Sequence, residues 1–333
     1  MNQWHQLYHP TPADCWQGRV DGIHTERFHQ IVERVDLRKP LNVPTSLSIM
    51  LIGFCCDIGV RRNQGRPGAH QGPQALRTAL TNLAVHTTQA IIYDAGNIVC
   101  HSDDLEQAQR ALAHAVQAIV QQGYFPMVLG GGHETAWGHY QGLEMAGKAE
   151  QLQILNIDAH LDLRDTLNNP TGTPGNMSMG TSGSSFWQIY QQRVAQGLPF
   201  HYTCYGVQPY ANTPSLLTRA REINTKIWWA SDIHQNASQY MTAALREIDH
   251  TTTPIYLSIC LDAFASCFAP GVSAPQINGL FLQHVQPIID HLARKKRLVS
   301  VDIVELSPYH DSDQRTAKLA AHLLLSLTHS LLG

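Results

Sequence analysis

The sequence predicts an α/β fold, a mainly parallel sheet of about eight strands covered by helices on both faces. Three observations predict it. Short β-rich apolar runs alternate with helical patterns along the chain, the lead "LQILNI" is apolar without the alternation of a half-solvated strand, and polar residues gather where the apolar runs end. With 333 residues, 43 % of them hydrophobic and 15 % charged, the chain can bury one large core or two modest ones. A single domain over residues 46–333 is expected, preceded by an irregular, partly helical N-terminal extension over 1–45.

The strand candidates, in order, are Leu47 to Phe54, Ala90 to Gly96, Tyr124 to Gly130, Leu152 to Asp158, His201 to Val207, Lys226 to Ala230, Pro254 to Asp262 and Arg297 to Glu305. Helical patterns lie between most of them, including Pro73 to Leu83, Asp103 to Gln122, Ser238 to Ile248, Leu280 to Arg294 and Gln314 to Leu332. The basic run "RKKR" (Arg294 to Arg297) closes one such helix, where cations complement the helix dipole.

Composition narrows the function. The 23 Lys and Arg against 26 Asp and Glu leave a formal net charge of -3, too weak a field to draw in nucleic acid or an anionic membrane. No apolar run approaches the roughly 20 residues that span a bilayer, and "MNQWHQLYHPTPAD" has neither the basic nor the apolar region of a signal peptide. Seven irregularly spaced cysteines without a CxxC pair argue against a disulfide framework or a structural zinc site. A reduced, soluble, cytoplasmic protein is expected, with a homo-oligomer left open.

In parallel sheets ligands gather beyond the carboxyl ends of the strands. Four ends are unusual here: "GGGHE" with His133 and Glu134, "DAHLD" with Asp158, His160 and Asp162, "SICLD" with Cys260 and Asp262, and "VDIVE" with Asp302 and Glu305. On an extended segment, residues two apart point the same way, so Asp158, His160 and Asp162 can converge while Ala159 and Leu161 face away. Bare charges at the end of a strand buried on both faces are costly. They need a cation or several hydrogen-bond partners, and His133 and Asp262 at neighbouring strand ends favour a metal over a solvated polar edge. Glu134, opening a helix, is already explained by the dipole. Most histidines, His70, His139 and His201 among them, have no partner pattern and are read as structural or surface residues.

"GGGHE", "DAHLD", "SICLD" and "VDIVELSP", in this order and at these separations, resemble the metal-binding signatures of the ureohydrolase superfamily of arginases, agmatinases and formimidoylglutamases, from about Leu51 to the C-terminus. The resemblance is strongest to the formimidoylglutamases of histidine degradation, through "DIGVRRNQGRPGAHQGPQALR" (Asp57 to Arg77), "GGGHE", "DLR" (Asp162 to Arg164) and "APGVSAP" (Ala269 to Pro275).

That resemblance implies a three-layer α/β/α sandwich and two Mn²⁺ ions. His133, Asp158 and Asp162 would hold one ion, His160 and Asp262 the other, with Asp158 bridging. It implies hydrolysis of N-formimidoyl-L-glutamate to L-glutamate and formamide by a metal-activated hydroxide, with Glu305 pairing with the amidinium nitrogens and Asp162 moving a proton to the leaving nitrogen. Arg164, where arginases carry a small polar residue, suits an acidic substrate by gripping a carboxylate. Arg61, Arg62 and Arg66 form a second basic cluster, and Arg66 is the residue assigned to a substrate carboxylate. "TSGSSF" (Thr181 to Phe186) stands where arginases carry a histidine. Another ureohydrolase, such as an agmatinase or guanidino-acid hydrolase, and a metal-poor non-catalytic relative are the alternatives.

Cys260 departs from the superfamily, standing where "SxDxD" places a bridging Asp. Either its thiolate ligates, favouring Zn²⁺ or Fe²⁺, or the second ion is weakly held, or the residue is a small buried apolar side chain.

Overall fold

The computed structural model describes residues 3–22, 24–86, 91–167 and 179–332. Its strands are β1 (Tyr8–His9), β2 (Val32–Arg34), β3 (Ile49–Cys55), β4 (Ile92–Val99), β5 (Phe125–Leu129), β6 (Gln153–Ile157), β7 (His201–Val207), β8 (Lys226–Trp229), β9 (Ile255–Cys260) and β10 (Leu298–Val304). Its α-helices are α1 (Ile58–Arg62), α2 (Gly72–Thr81), α3 (Leu105–Gln121), α4 (Thr135–Met145), α5 (Ser185–Ala195), α6 (Pro214–Glu222), α7 (Ala230–Gln235), α8 (Ala237–His250), α9 (Leu282–Arg294) and α10 (Arg315–Leu332).

All eight expected strands are present, in one sheet of order β1-β4-β3-β5-β10-β9-β6-β7-β8. The sheet has ten strands rather than about eight. Two short segments of the first 45 residues pair with β4, β1 antiparallel at Ile98 and Asn97, and β2 parallel from Ile92 to Asp94. Two- and three-residue strands carry no periodic signal, so only edge pairing reveals them. Every other pairing is parallel.

The strands bury both faces, and two apolar cores result. One lies under α2, α7, α8, α9 and α10, the other under α3, α4, α5 and α6. This is the three-layer α/β/α sandwich. Among the described residues no helix is long and apolar enough to cross a membrane.

The order of strands positions the site. After β5 the chain leaves a gap, lays down β6, β7 and β8, and returns with β9 and β10 to fill the space between β5 and β6. The four strands with unusual carboxyl ends, β5, β10, β9 and β6, thereby become consecutive neighbours at the middle of the sheet.

The N-terminal segment is tied to this sheet by a buried ion pair. Arg77 on α2 donates from Nε to Asp94 Oδ2 at 2.8 Å and from Nη2 to Asp94 Oδ1 at 2.9 Å. Trp16 Nε1 donates to Asp94 Oδ2 at 2.7 Å. Both charges are fully buried, so removing one partner strands the other in a medium that cannot solvate it. Arg77→Met should destabilise the protein by about 3 to 5 kcal/mol, read as a lower denaturation midpoint in urea with the slope unchanged.

Candidate metal centre and active-site cavity

The loop after β5 can turn so tightly only because it is glycine. A Cβ on Gly131 would lie 1.9 Å from the Cys56 carbonyl oxygen, and one on Gly132 would lie 2.1 Å from Glu134 Oε2. This close approach lays His133 over the ends of the neighbouring strands. Asp158 follows directly on β6, and Cys260 ends β9.

Asp158, His160 and Asp162 do converge, but not by strand alternation. β6 ends at Ile157, the chain bends at 159–160, and Asp162 adopts φ +48°. Asp158 Oδ1 accepts the His160 N–H at 2.7 Å, which stabilises the bend. Glu305 after β10 also has positive φ, +72°. Such non-glycine conformations cost of order 1 to 3 kcal/mol each, and here they aim carboxylates into the site.

The result is a crowded buried floor. His133 Nδ1 lies 2.9 Å from both Asp158 Oδ2 and Asp162 Oδ2, yet neither oxygen is aligned to accept a hydrogen bond from it. His160 Nδ1 lies 3.1 Å from Asp262 Oδ2 and 3.5 Å from Asp158 Oδ1. Asp262 Oδ1 and Glu305 Oε2 are buried and meet no hydrogen-bond partner among the described residues. The donor atoms form two overlapping groups, His133 with Asp158 and Cys260, and Asp158 with His160 and Asp262, so Asp158 belongs to both. Oxygen and imidazole donors in two groups sharing one carboxylate suit a pair of divalent cations.

The charges respond to this crowding. Against the cost of burial, Asp158 and Asp162 hold the His133 imidazolium to well above the usual histidine range, and Asp262 and Asp158 do the same for His160. Asp158, despite burial, is held far below the usual carboxylate range by the two imidazoles. Burial and the neighbouring Asp158 push Asp162 up. Burial, with Asp262 beside it, pushes Glu305 up to about 7. Cys260 is pushed well up by burial and by the charges of Asp158 and Asp262.

Above this floor lies a cavity of about 240 Å³, lined among others by His133, His160, Asp162, Arg164, Asp262 and Glu305. Arg164 is exposed at its mouth, and its side chain makes no hydrogen bond or ion pair with the described residues; its backbone N–H donates to Gly183 O at 2.8 Å. Arg66 does not line the cavity. It donates to Pro270 O at 3.1 Å and Val272 O at 2.6 Å, holding the loop after β9. Arg61 pairs with Asp103, and Arg62 with Glu106. The second basic cluster is thus engaged with protein groups.

Sequence reasoning missed several residues here. The "TSGSSF" turn contributes Ser182 to the cavity wall, bonded to Asn63, while Ser185 Oγ donates to His133 O at 2.9 Å. Glu134 does open α4, but its side chain turns inward, where Oε1 accepts the Gly59 N–H at 2.7 Å. The helix dipole does not account for it. Burial, then the nearby Glu305, pushes its carboxyl up to about 8. Of the two roles open to His139, structural or surface, the structure shows the first: it is wholly buried beneath the site.

A sequence profile of the arginase family matches residues 47–329. A formimidoylglutamase of Legionella pneumophila (strain Paris) is 39 % identical over 320 residues, covering 96 % of this chain and 97 % of the relative. A formimidoylglutamase of Ralstonia nicotianae is 40 % identical over 329 residues, covering 94 % and 95 %. Among solved structures, Trypanosoma cruzi formiminoglutamase with Mn²⁺ superposes with a TM-score of 0.74 at 26 % identity, covering 85 % of this chain and 93 % of the other. Arginase from Bacillus caldovelox gives 0.68 at 27 %, covering 85 % and 98 %.

The folded metal-free protein keeps the Glu134 proton up to about pH 8, whereas an unfolded chain releases it near 4.5. A carboxyl raised in this way makes stability fall as the pH rises between those values, and the raised His133 and His160 act in the same direction above 6.5. The melting temperature of metal-free protein should therefore drop from pH 5 to pH 8. Glu134→Gln, which keeps the oxygen facing Gly59, should flatten that slope.

Proposed function

The chain belongs to the arginase family, and on that footing we propose that it hydrolyses N-formimidoyl-L-glutamate to L-glutamate and formamide, a step of histidine degradation. The observation that carries this reading is Arg164, an exposed guanidinium at the mouth of a cavity whose floor is built from imidazoles and carboxylates. A cation at the rim suits an acidic substrate, and a carboxylate-rich floor suits its cationic amidine. Relatives of about 40 % identity over nearly the whole chain, described as formimidoylglutamases, support it.

The donor set fits two Mn²⁺ ions. His133, Asp158 and Asp162 would hold one, His160 and Asp262 the other, with Asp158 common to both. Bound Mn²⁺ supplies Lewis acidity and lowers the pKa of a water enough for it to act as hydroxide near neutral pH.

The remaining work falls to the chain. Arg164 grips a substrate carboxylate with paired hydrogen bonds. Glu305 Oε1 accepts the His133 backbone N–H at 2.8 Å, whereas Oε2, which meets no hydrogen-bond partner among the described residues, is left to accept from the amidinium. Water adds to the formimidoyl carbon, the bond from that carbon to the glutamate nitrogen breaks, and Asp162 carries a proton to the departing nitrogen. Burial of the floor strengthens each of these charge interactions. Arg66, occupied by two backbone carbonyls, serves the cavity by fixing the loop after β9. We place this chemistry in one catalytic domain over 46–333 behind the 1–45 extension, in the reducing cytoplasm, where the seven free cysteines are at home.

Assays of Mn²⁺-loaded enzyme with formimidoylglutamate, arginine and agmatine side by side should release product from the first substrate; turnover of agmatine alone would overturn the assignment. Arg164→Ala should lower kcat/KM for formimidoylglutamate by roughly 10² to 10³, about 3 to 4 kcal/mol, and an unchanged value would remove Arg164 from the site. Cys260 in metal-free protein is a protonated thiol, a poor partner for Mn²⁺. Cys260→Asp should raise Mn²⁺ affinity while making the metal-free protein less stable. Weaker binding in a titration would identify the thiolate as a selected ligand.

A further inference from the structure

Beneath His133 lies a buried polar chain in which the Ser258 and Ser300 hydroxyls each have a fixed hydrogen-bond direction. Ser300 Oγ donates to the Pro126 carbonyl at 3.1 Å, so its oxygen can only accept from His139 Nε2. His139 Nδ1 and Asp302 Oδ2 lie 2.7 Å apart with one proton between them. Asp302 Oδ2 also accepts the Tyr256 hydroxyl, and Oδ1 accepts the Ser258 hydroxyl at 2.6 Å. Ser258 has then given up its only proton. Its oxygen, 2.9 Å from His133 Nε2, must accept an N–H from that ring.

His133, His139, Ser258, Ser300 and Asp302 are all nearly or wholly buried, in places where an apolar residue would pack at no desolvation cost. Five polar groups kept there, each with a partner, specify an orientation. Phe186 closes the other side of the His133 ring, edge on, with centroids 5.4 Å apart.

We propose that Ser258, Asp302 and His139 are positioning residues that commit the Nε2 proton of His133, leaving Nδ1 as the one nitrogen able to give up its proton to a metal. This rests on the reading of His133 as a metal ligand. Ser258 and Asp302 act from adjacent strands, β9 and β10, in parallel register, where Ser258 faces Asp302. His139 reaches the pair from α4 one turn and a half beyond His133. Because the Ser258 proton is given to Asp302 Oδ1, the Ser258 oxygen is left to accept from His133 Nε2.

The test uses the full chain, labelled with ¹⁵N-histidine, and Mn²⁺ titrated with the free ion followed by electron paramagnetic resonance. In metal-free wild type, an exchange-protected downfield imidazole N–H should be present and should vanish in His133→Gln. Ser258→Ala and His139→Gln should lose that protection and bind Mn²⁺ roughly 10- to 100-fold more weakly, whereas Ser258→Thr, which keeps the hydroxyl, should behave as wild type. Retained N–H protection with wild-type Mn²⁺ affinity in both Ser258→Ala and His139→Gln would overturn the proposal. Unchanged Mn²⁺ affinity in His133→Gln would instead overturn the assignment of His133 as a ligand, and the N–H signal would still report on the chain beneath it.

Discussion

Two imidazoles and three carboxylates share one buried floor at the ends of β5, β6 and β9, and their mutual charge is the constraint around which the molecule is arranged. Carboxylates this close cannot all stay ionised without positive charge among them. In the metal-free protein that charge is a proton on His133 and on His160, each held to well above the usual histidine range by its aspartates. His133 Nδ1 lies 2.9 Å from one oxygen of each of Asp158 and Asp162. A metal taken up there would require a ligating imidazole to lose its proton, so uptake and proton release would be linked.

The sheet topology follows from the same constraint. A parallel sheet buried on both faces offers polar groups a home only at its ends, and here the carboxyl ends of β5, β10, β9 and β6 stand side by side. The chain reaches that arrangement by leaving a gap that β9 and β10 later fill, so Asp158, just after β6, meets Cys260 and Asp262 across about a hundred intervening residues. Two site residues, Asp162 and Glu305, sit at positive φ, conformations that persist only where surrounding packing over-determines them.

Around this floor, polar side chains serve as fixtures. The Ser300–His139–Asp302–Ser258 chain supports His133 from below. Glu134 fills the space left by Gly59 and Gly132 and bonds the Gly59 N–H, joining α1 to the loop that carries His133. Arg66 holds the loop after β9, and Arg77 with Asp94 ties α2 and Trp16 to the sheet edge. Each links segments far apart in sequence, and the buried ones, the Arg77–Asp94 pair and the Glu134 and His139 contacts, would be costly to break because their charges or dipoles are out of reach of water.

By itself the sequence determined the eight main strands, their parallel arrangement and the polar residues that end them, because apolar runs and strand-end charges are local patterns. His133, Asp158, His160, Asp162, Cys260 and Asp262 could be named from those patterns alone. Tertiary structure decided the rest. β1 and β2 exist only through the edge of β4 that receives them, and α4, covered by α3 on one side and the sheet on the other, lacks the polar stripe that would betray a helix. Asp158, His160 and Asp162 meet through a bend stabilised by a side chain. Which arginine is free depended on where carbonyls some two hundred residues away would lie: Arg66 found Pro270 and Val272, and Arg164 found none among the described residues. His139 looked unremarkable because its partners, Ser300 and Asp302, come from a strand more than 150 residues later. Hydrogen-bond direction and charge compensation are properties of neighbours in space, and no local pattern encodes them.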